Sequence, residues 1–171
     1  WSRTLAYAGT FLAMRTDQKP FDDIRVRRAL NMAVNKEEII NAYYGGNAEM
    51  FAYPQHPDFE GYYTPLDKMP ASVQELFKYD PKKAKALLAE AGYENGLDIT
   101  YTVPTRPYAQ AVSEIVVSQL KDVGINVTIK SSEFPAVWLD EVFTNHDYQM
   151  TTVLAVEARD ILTVFNNPEY Y

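Results

Sequence analysis

A short charged stretch near the end of the sequence carries the residues best suited to hold a charged ligand. Glu157, Arg159 and Asp160 follow an apolar segment, residues 148–156, whose composition predicts a β-strand. Ligands of open α/β sheets bind at the carboxyl ends of strands, so we predict that these side chains line a ligand site. A carboxylate can neutralise an ammonium group, and an arginine can bind a carboxylate through two parallel hydrogen bonds. The alternative is an ion pair between Arg159 and an acidic neighbour on a surface loop.

The segment 47–70 is a second candidate region. It contains four prolines and little hydrophobic periodicity, which predicts a long irregular loop. Loops of this length are usually functional or disordered, and the aromatic content favours an ordered loop. Tyrosine offers a flat surface and a hydroxyl to a peptide or a sugar, whereas the simpler interpretation is that these rings cover the core. The aromatic residues in and around the loop are Tyr43, Tyr44, Phe51, Tyr53, Phe59, Tyr62 and Tyr63.

Composition excludes several classes of function. The 171 residues include no cysteine, and the two histidines, His56 and His146, lie far apart, so we predict neither a metal site nor a cofactor. The net charge is −7 and there is no basic run, which argues against a nucleic-acid partner. No apolar run approaches the roughly 20 residues of a membrane helix. No motif of a nucleophile, a phosphate loop or a zinc protease is present, so we predict that the protein is not an enzyme.

Apolar periodicity and helix caps predict an α/β domain with a mixed sheet and flanking helices. One or two strands are expected within residues 4–14, and single strands over residues 98–103, 125–130 and 148–154. Helices are expected over residues 23–34, after the capping residue Asn35, and over residues 81–91, 107–122 and 134–143.

Four segments carry a family resemblance through their motifs, order and spacing. The first opens Pro20-Phe21-Asp22-Asp23 and ends Ala33-Val34, and the second runs from Tyr79-Asp80-Pro81 to Ala91-Gly92-Tyr93. The third joins Gln119-Leu120 to Gly124-Ile125, and the fourth runs from Trp138 to Asp147-Tyr148-Gln149-Met150. Together they resemble the family 5 extracellular solute-binding proteins, which bind oligopeptides, dipeptides, nickel complexes and some sugars.

The resemblance implies a lobe of the type II periplasmic-binding-protein fold. Residues 1–171 would form a single domain, most of the C-terminal lobe of a two-lobed protein whose N-terminal lobe is absent from this chain. The chain has no initiator Met and no signal peptide, so we expect it to be a domain of something longer. The whole protein would capture a peptide or a similar small solute for the permease subunits of an ABC importer. We expect a monomer in the periplasm, or a lipoprotein anchored at the cell surface.

The resemblance also bears on the charged stretch. In peptide-binding relatives an aspartate near this point binds the α-ammonium group of the peptide, which leaves Glu157 or Asp160 as the acid here. The family usually has a tryptophan just before it, whereas this sequence has Leu154-Ala155. Two other functions stay open: the ligand-sensing domain of a regulator built on the same fold, and a carboxylate-dependent hydrolase.

Overall fold

The computed structural model describes residues 8–50 and 63–156. In this part of the chain the strands are β1 (Ala8–Met14), β2 (Leu97–Pro104), β3 (Ile125–Ser132) and β4 (Met150–Val156). The α-helices are α1 (Ile24–Ala33), α2 (Lys36–Ala42), α3 (Ala71–Gln74), α4 (Pro81–Glu90), α5 (Pro107–Asp122) and α6 (Ala136–Leu139). Short 3₁₀ turns occupy Leu66–Lys68 and Glu75–Phe77.

The four described strands form one mixed sheet in the order β1-β4-β2-β3. β2 runs parallel to both β3 and β4, and α5 provides the crossover between β2 and β3. β1 runs antiparallel to β4, with Met14 opposite Met150 and Ala8 opposite Val156. The predicted mixed sheet and the order of its elements are therefore confirmed.

One face of the sheet carries the main hydrophobic core. Tyr101 and Val103 of β2 and Met150 of β4 are fully buried there. Helix α5 packs on β2 and β3, while α1 packs on α4 and α5. Tyr101 keeps its polar end satisfied by a hydrogen bond with the Thr152 hydroxyl. Burial raises the pKa of Tyr101 to about 12, so this phenol stays neutral in the core.

Side-chain caps fix the starts of three helices. The carboxylate of Asp23 accepts the Arg25 amide of α1, and that of Asp80 accepts the Lys83 amide of α4. The Asn35 side chain accepts the Glu38 amide at the start of α2, where the sequence predicted a capping residue. Each cap satisfies an amide that the first helical turn leaves without a partner.

Two predictions of local structure need correction. A single helix was expected over residues 134–143, but α6 spans only Ala136–Leu139 and continues as a π-helical turn, Asp140–Thr144. Apolar periodicity cannot distinguish these hydrogen-bonding patterns, because both place side chains on similar faces. The predicted loop 47–70 holds the 3₁₀ turn Leu66–Lys68, and its residues 51–62 lie outside the described part of the chain.

Candidate ligand-binding site

The three residues predicted for the site, Glu157, Arg159 and Asp160, lie outside the described residues. The structure follows the chain to the end of β4, where the backbone of Val156 is paired with that of Ala8. The charged stretch therefore comes directly after a strand of the mixed sheet, as its prediction required. The assignment of the three side chains to a ligand site stays a prediction.

Parallel strands bring further residues to the same edge of the sheet. The carboxyl ends of β2, β3 and β4 lie on one side, because these strands run in the same direction. Thr105 and Arg106 follow β2, and Glu133 and Phe134 follow β3. We call these four residues the carboxyl edge. It is the position at which open α/β sheets bind their ligands.

Two hydrogen bonds of Thr105 connect the loops of the carboxyl edge. Its backbone amide donates to the carbonyl oxygen of Ser132, at 2.9 Å. Its side-chain hydroxyl oxygen accepts a hydrogen bond from the backbone amide of Phe134, at 3.1 Å. The residue before Arg106 is thus fixed to the loop that carries Phe134.

Arg106 lies over the aromatic ring of Phe134. The guanidinium carbon is 3.6 Å from the ring centroid, which places it on the face of the ring at van der Waals contact. Arg106 is half-buried, and it forms no ion pair with any carboxylate in residues 8–50 and 63–156. Its position is the residue before α5, a helix whose first turn has no side-chain cap. Helix dipole and arginine together favour a negatively charged group at this place.

Buried side chains support the Phe134 ring from below. The ring lies 5.8 Å from that of Trp138, a residue of α6 that is 5% exposed. The indole nitrogen of Trp138 donates to the Thr151 hydroxyl at 3.2 Å, and that hydroxyl donates to the carbonyl oxygen of Thr102 at 2.8 Å. Through Trp138, the Phe134 ring that lies under Arg106 is connected to β2 and β4.

The aromatic loop gives little support for a ligand site. Tyr43 and Tyr44 pack edge to face at the end of α2, with ring centroids 4.8 Å apart. The other rings of the prediction, apart from Tyr63, lie outside the described residues. A cleft of about 590 Å³ near α2 borders this segment through Met50 and contains Lys36 and Phe77.

That cleft also lies at the other end of the domain. The backbone amide of Asn35 donates to the Gln119 side chain at 3.0 Å. Gln119 is near the carboxyl end of α5, whereas Arg106 precedes its first residue. At 1.5 Å per residue the two positions are separated by about 20 Å along the helix. The cleft and the carboxyl edge are therefore separate regions of the domain.

Sequence reasoning missed Arg106, Phe134 and Thr105. A signal for Arg106 was present, because it follows the predicted strand 98–103 and precedes Pro107, a residue that favours the first turn of a helix. The rule that selected residues 157–160 therefore also selects Arg106. No sequence signal places Phe134 on its guanidinium, because that contact joins two loops separated by α5 and β3.

A mixed sheet with helices on its core face and polar residues at its carboxyl edge is an architecture on which α/β domains often bind ligands. The model of the bacterial extracellular solute-binding proteins, family 5 Middle, matches residues 2–158. The chain belongs to this family. The family's description agrees with the predicted extracytoplasmic location, whereas lipid anchoring stays a prediction. Among residues 8–50 and 63–156, none of the helices combines the length and the hydropathy of a membrane span.

Curated relatives extend well beyond this chain. Heme-binding protein A of Haemophilus influenzae is 32% identical over 135 residues, which are 76% of this chain and 22% of that protein. The dipeptide-binding protein of Escherichia coli is 37% identical over 129 residues, 72% of this chain and 23% of its own length. This chain therefore spans less than a quarter of these relatives.

Solved structures share the fold. A dipeptide-binding protein from Pseudoalteromonas in complex with Met-Leu is 29% identical, with a TM-score of 0.72 over 91% of this chain and 30% of that one. The oligopeptide-binding protein AppA of Bacillus subtilis, in complex with a nonapeptide, has a TM-score of 0.77, 24% identity and coverage of 90% and 32%. The predicted type II binding-protein fold is confirmed.

Proposed function

We propose that this chain is part of the substrate-binding component of an ABC importer and forms one side of a cleft for a peptide or similar solute. The observation that carries the proposal is the half-buried cation at the carboxyl edge: Arg106 is fixed on Phe134 and pairs with no carboxylate among the described residues. Membership of the family supports it, since proteins of this family are named for binding dipeptides, glutathione and heme.

A peptide has a charge at each end, and the chain offers groups for both. Arg106 would bind a carboxylate of the solute through its guanidinium, and the uncapped start of α5 favours the same charge. The ammonium end requires an acid, for which Glu157 and Asp160 are the candidates. Arg159 remains the alternative partner for a carboxylate.

The rest of the binding site would come from outside this chain. Residues 1–171 would form most of the C-terminal lobe, and closure of the second lobe would remove water from the solute. Burial strengthens both charge pairs, because their attraction is greater where water is excluded. We expect the complete protein to act as a monomer that delivers its solute to permease subunits and does not catalyse its turnover.

The test is a calorimetric titration of the full-length protein with Met-Leu, the dipeptide bound by the Pseudoalteromonas relative. Removing one partner of a buried charge pair costs about 2–5 kcal/mol. Arg106→Ala should therefore weaken binding by roughly 30-fold to several thousand-fold. Lys121→Ala, which removes a positive charge from the last turn of the same helix, is the matched control and should leave affinity unchanged.

Three results would contradict the proposal. If wild-type protein bound neither Met-Leu nor the tripeptide glutathione, these peptides would not be the solute, and heme and nickel–histidine would be tested in their place. If Arg106→Ala bound Met-Leu as the wild type does, the carboxyl edge would not hold the carboxylate. Reproducible hydrolysis of the peptide by pure protein, abolished by one carboxylate substitution, would favour the hydrolase instead.

A further inference from the structure

The guanidinium group of Arg106 lies directly on the ring of Phe134. An arginine side chain on a protein surface samples many rotamers, and holding it in one of them costs conformational entropy. Here the guanidinium carbon lies 3.6 Å above the ring centroid. The ring occupies one face of the guanidinium and leaves its N–H groups, which lie in the guanidinium plane, available to an acceptor.

Phe134 is itself held on several sides. Its amide donates to the hydroxyl oxygen of Thr105 at 3.1 Å, and its ring packs 5.8 Å from that of Trp138. Thr105 is the residue before Arg106, and its own amide donates to Ser132 at the end of β3. The arginine and the ring beneath it thus share one frame, which links the loop after β2 to the loop after β3.

We propose that Phe134 and Thr105 are positioning residues that hold the Arg106 guanidinium ready for the carboxylate of the solute. This inference rests on the proposed function and specifies it further. A guanidinium group that is already fixed in place loses less conformational entropy when a carboxylate binds. The resulting gain in affinity is confined to solutes that end in a free carboxylate. The protein should therefore distinguish a peptide acid from the corresponding peptide amide, and part of that distinction should depend on Phe134.

The first variant is Phe134→Leu in the full-length protein, with Phe134→Tyr as its conservative partner. Leucine keeps an apolar side chain but removes the aromatic face, whereas tyrosine keeps the face. We expect Phe134→Leu to weaken Met-Leu binding by roughly threefold to tenfold, the range expected for an exposed cation–π contact and one immobilised side chain. Binding of Met-Leu amide should be unchanged, and Phe134→Tyr should bind both ligands as the wild type does.

A double-mutant cycle separates positioning from general structural damage. On the Arg106→Ala background, Phe134→Leu should have no further effect on Met-Leu affinity, because there is no guanidinium left to position. A structural role would instead lower affinity for the acid and the amide equally, or persist without Arg106. Either result, or an unchanged affinity of Phe134→Leu for the acid, would overturn the inference.

Thr105 provides the second route if Phe134→Leu does not fold. Thr105→Val keeps the side-chain shape but removes the oxygen that accepts the Phe134 amide, and Thr105→Ser retains it. Thr105→Val should weaken binding of Met-Leu but not of Met-Leu amide, and Thr105→Ser should bind both as the wild type does. An equal loss of affinity for both ligands would overturn the inference. If Arg106→Ala leaves Met-Leu affinity unchanged, the proposed function is wrong. If Arg106→Ala weakens binding but the Phe134 and Thr105 variants do not, only this inference is wrong.

Discussion

The two ends of helix α5 use polar side chains in opposite ways. At the far end, Gln119 accepts the amide of Asn35 at 3.0 Å and donates to the Glu38 carboxylate at 2.8 Å. At the near end, Arg106 has an aromatic ring beneath it and no carboxylate partner among the described residues. One network is closed within the domain, whereas the other leaves a charge available.

The hydrogen bonds of Gln119 stabilise the fold, whereas Arg106, unpaired among the described residues, is available to bind a ligand. A partly buried polar network whose members hydrogen-bond to one another stabilises the arrangement of helices. A half-buried cation that is positioned but unpaired contributes little to stability and gains most when an anion arrives. We therefore expect substitutions at the carboxyl edge to change affinity and substitutions around Gln119 to change stability.

The largest effect is expected from the acid that binds the ammonium end of the solute. Replacing the responsible residue, Glu157 or Asp160, by alanine should weaken peptide binding by roughly 30-fold to several thousand-fold, because the solute's buried ammonium loses its partner. The other acid should matter much less. Titration of the full-length variants with Met-Leu and its N-acetyl derivative measures this, since acetylation removes the ammonium. Wild-type affinity in both variants would show that this stretch is a solvated surface.

A smaller effect, on stability alone, is expected at Gln119. Its side chain is 5% exposed, and replacing it by methionine leaves the Asn35 amide without its partner. An unsatisfied buried group costs about 1–3 kcal/mol, so the free energy of unfolding should fall by this amount. Urea unfolding of the full-length protein measures it, and Met-Leu affinity should stay the same. Ser118→Ala on the exposed side of the helix is the control, and a loss of affinity in Gln119→Met would contradict the comparison.

The smallest effect is expected at Lys36, the first residue of α2, which lies near the far end of α5. Like Arg106 it has no carboxylate partner among the described residues, and its ammonium group donates to the Asn31 carbonyl at 2.8 Å. Burial lowers the pKa of Lys36 to about 8, because the charged form loses hydration. Below pH 8 the lysine is protonated in both folded and unfolded chains, and the folded protein bears the cost of the buried charge.

Lys36→Met should therefore be slightly more stable than the wild type at pH 7. Between pH 8 and the ordinary lysine value of 10.5, the folded protein releases the proton before the unfolded chain does, so wild-type stability rises relative to the variant. The advantage of the variant should accordingly shrink from pH 8 to pH 10. Thermal unfolding of both proteins across this range is the measurement. A loss of solute affinity in Lys36→Met would place a second binding group at the far end of α5.

Local sequence signals were sufficient for most of the secondary structure. Asp80-Pro81 begins α4 and Asn35 caps α2, because a side-chain oxygen next to the first turn meets an amide only a few residues away. The alternation of apolar residues located β2 and β3 to within one or two residues of their ends. The boundary between α6 and the π-helical turn was missed, since the hydrogen-bonding pattern around the buried Trp138 and Val142 depends on tertiary packing and not on a local pattern.

The sequence by itself determined the α/β class and the family. It also located the strands at whose carboxyl ends α/β sheets bind ligands. It could also have selected Arg106, which follows a predicted strand. Only the tertiary structure brought Phe134 under Arg106, joined Thr105 to the loop after β3 and joined the Gln119 side chain of α5 to Asn35 at the start of α2. These contacts join residues 28 to 84 positions apart, and their geometry depends on how the sheet twists and the helices pack. That information resides in the packing of many side chains and in no single segment of the sequence.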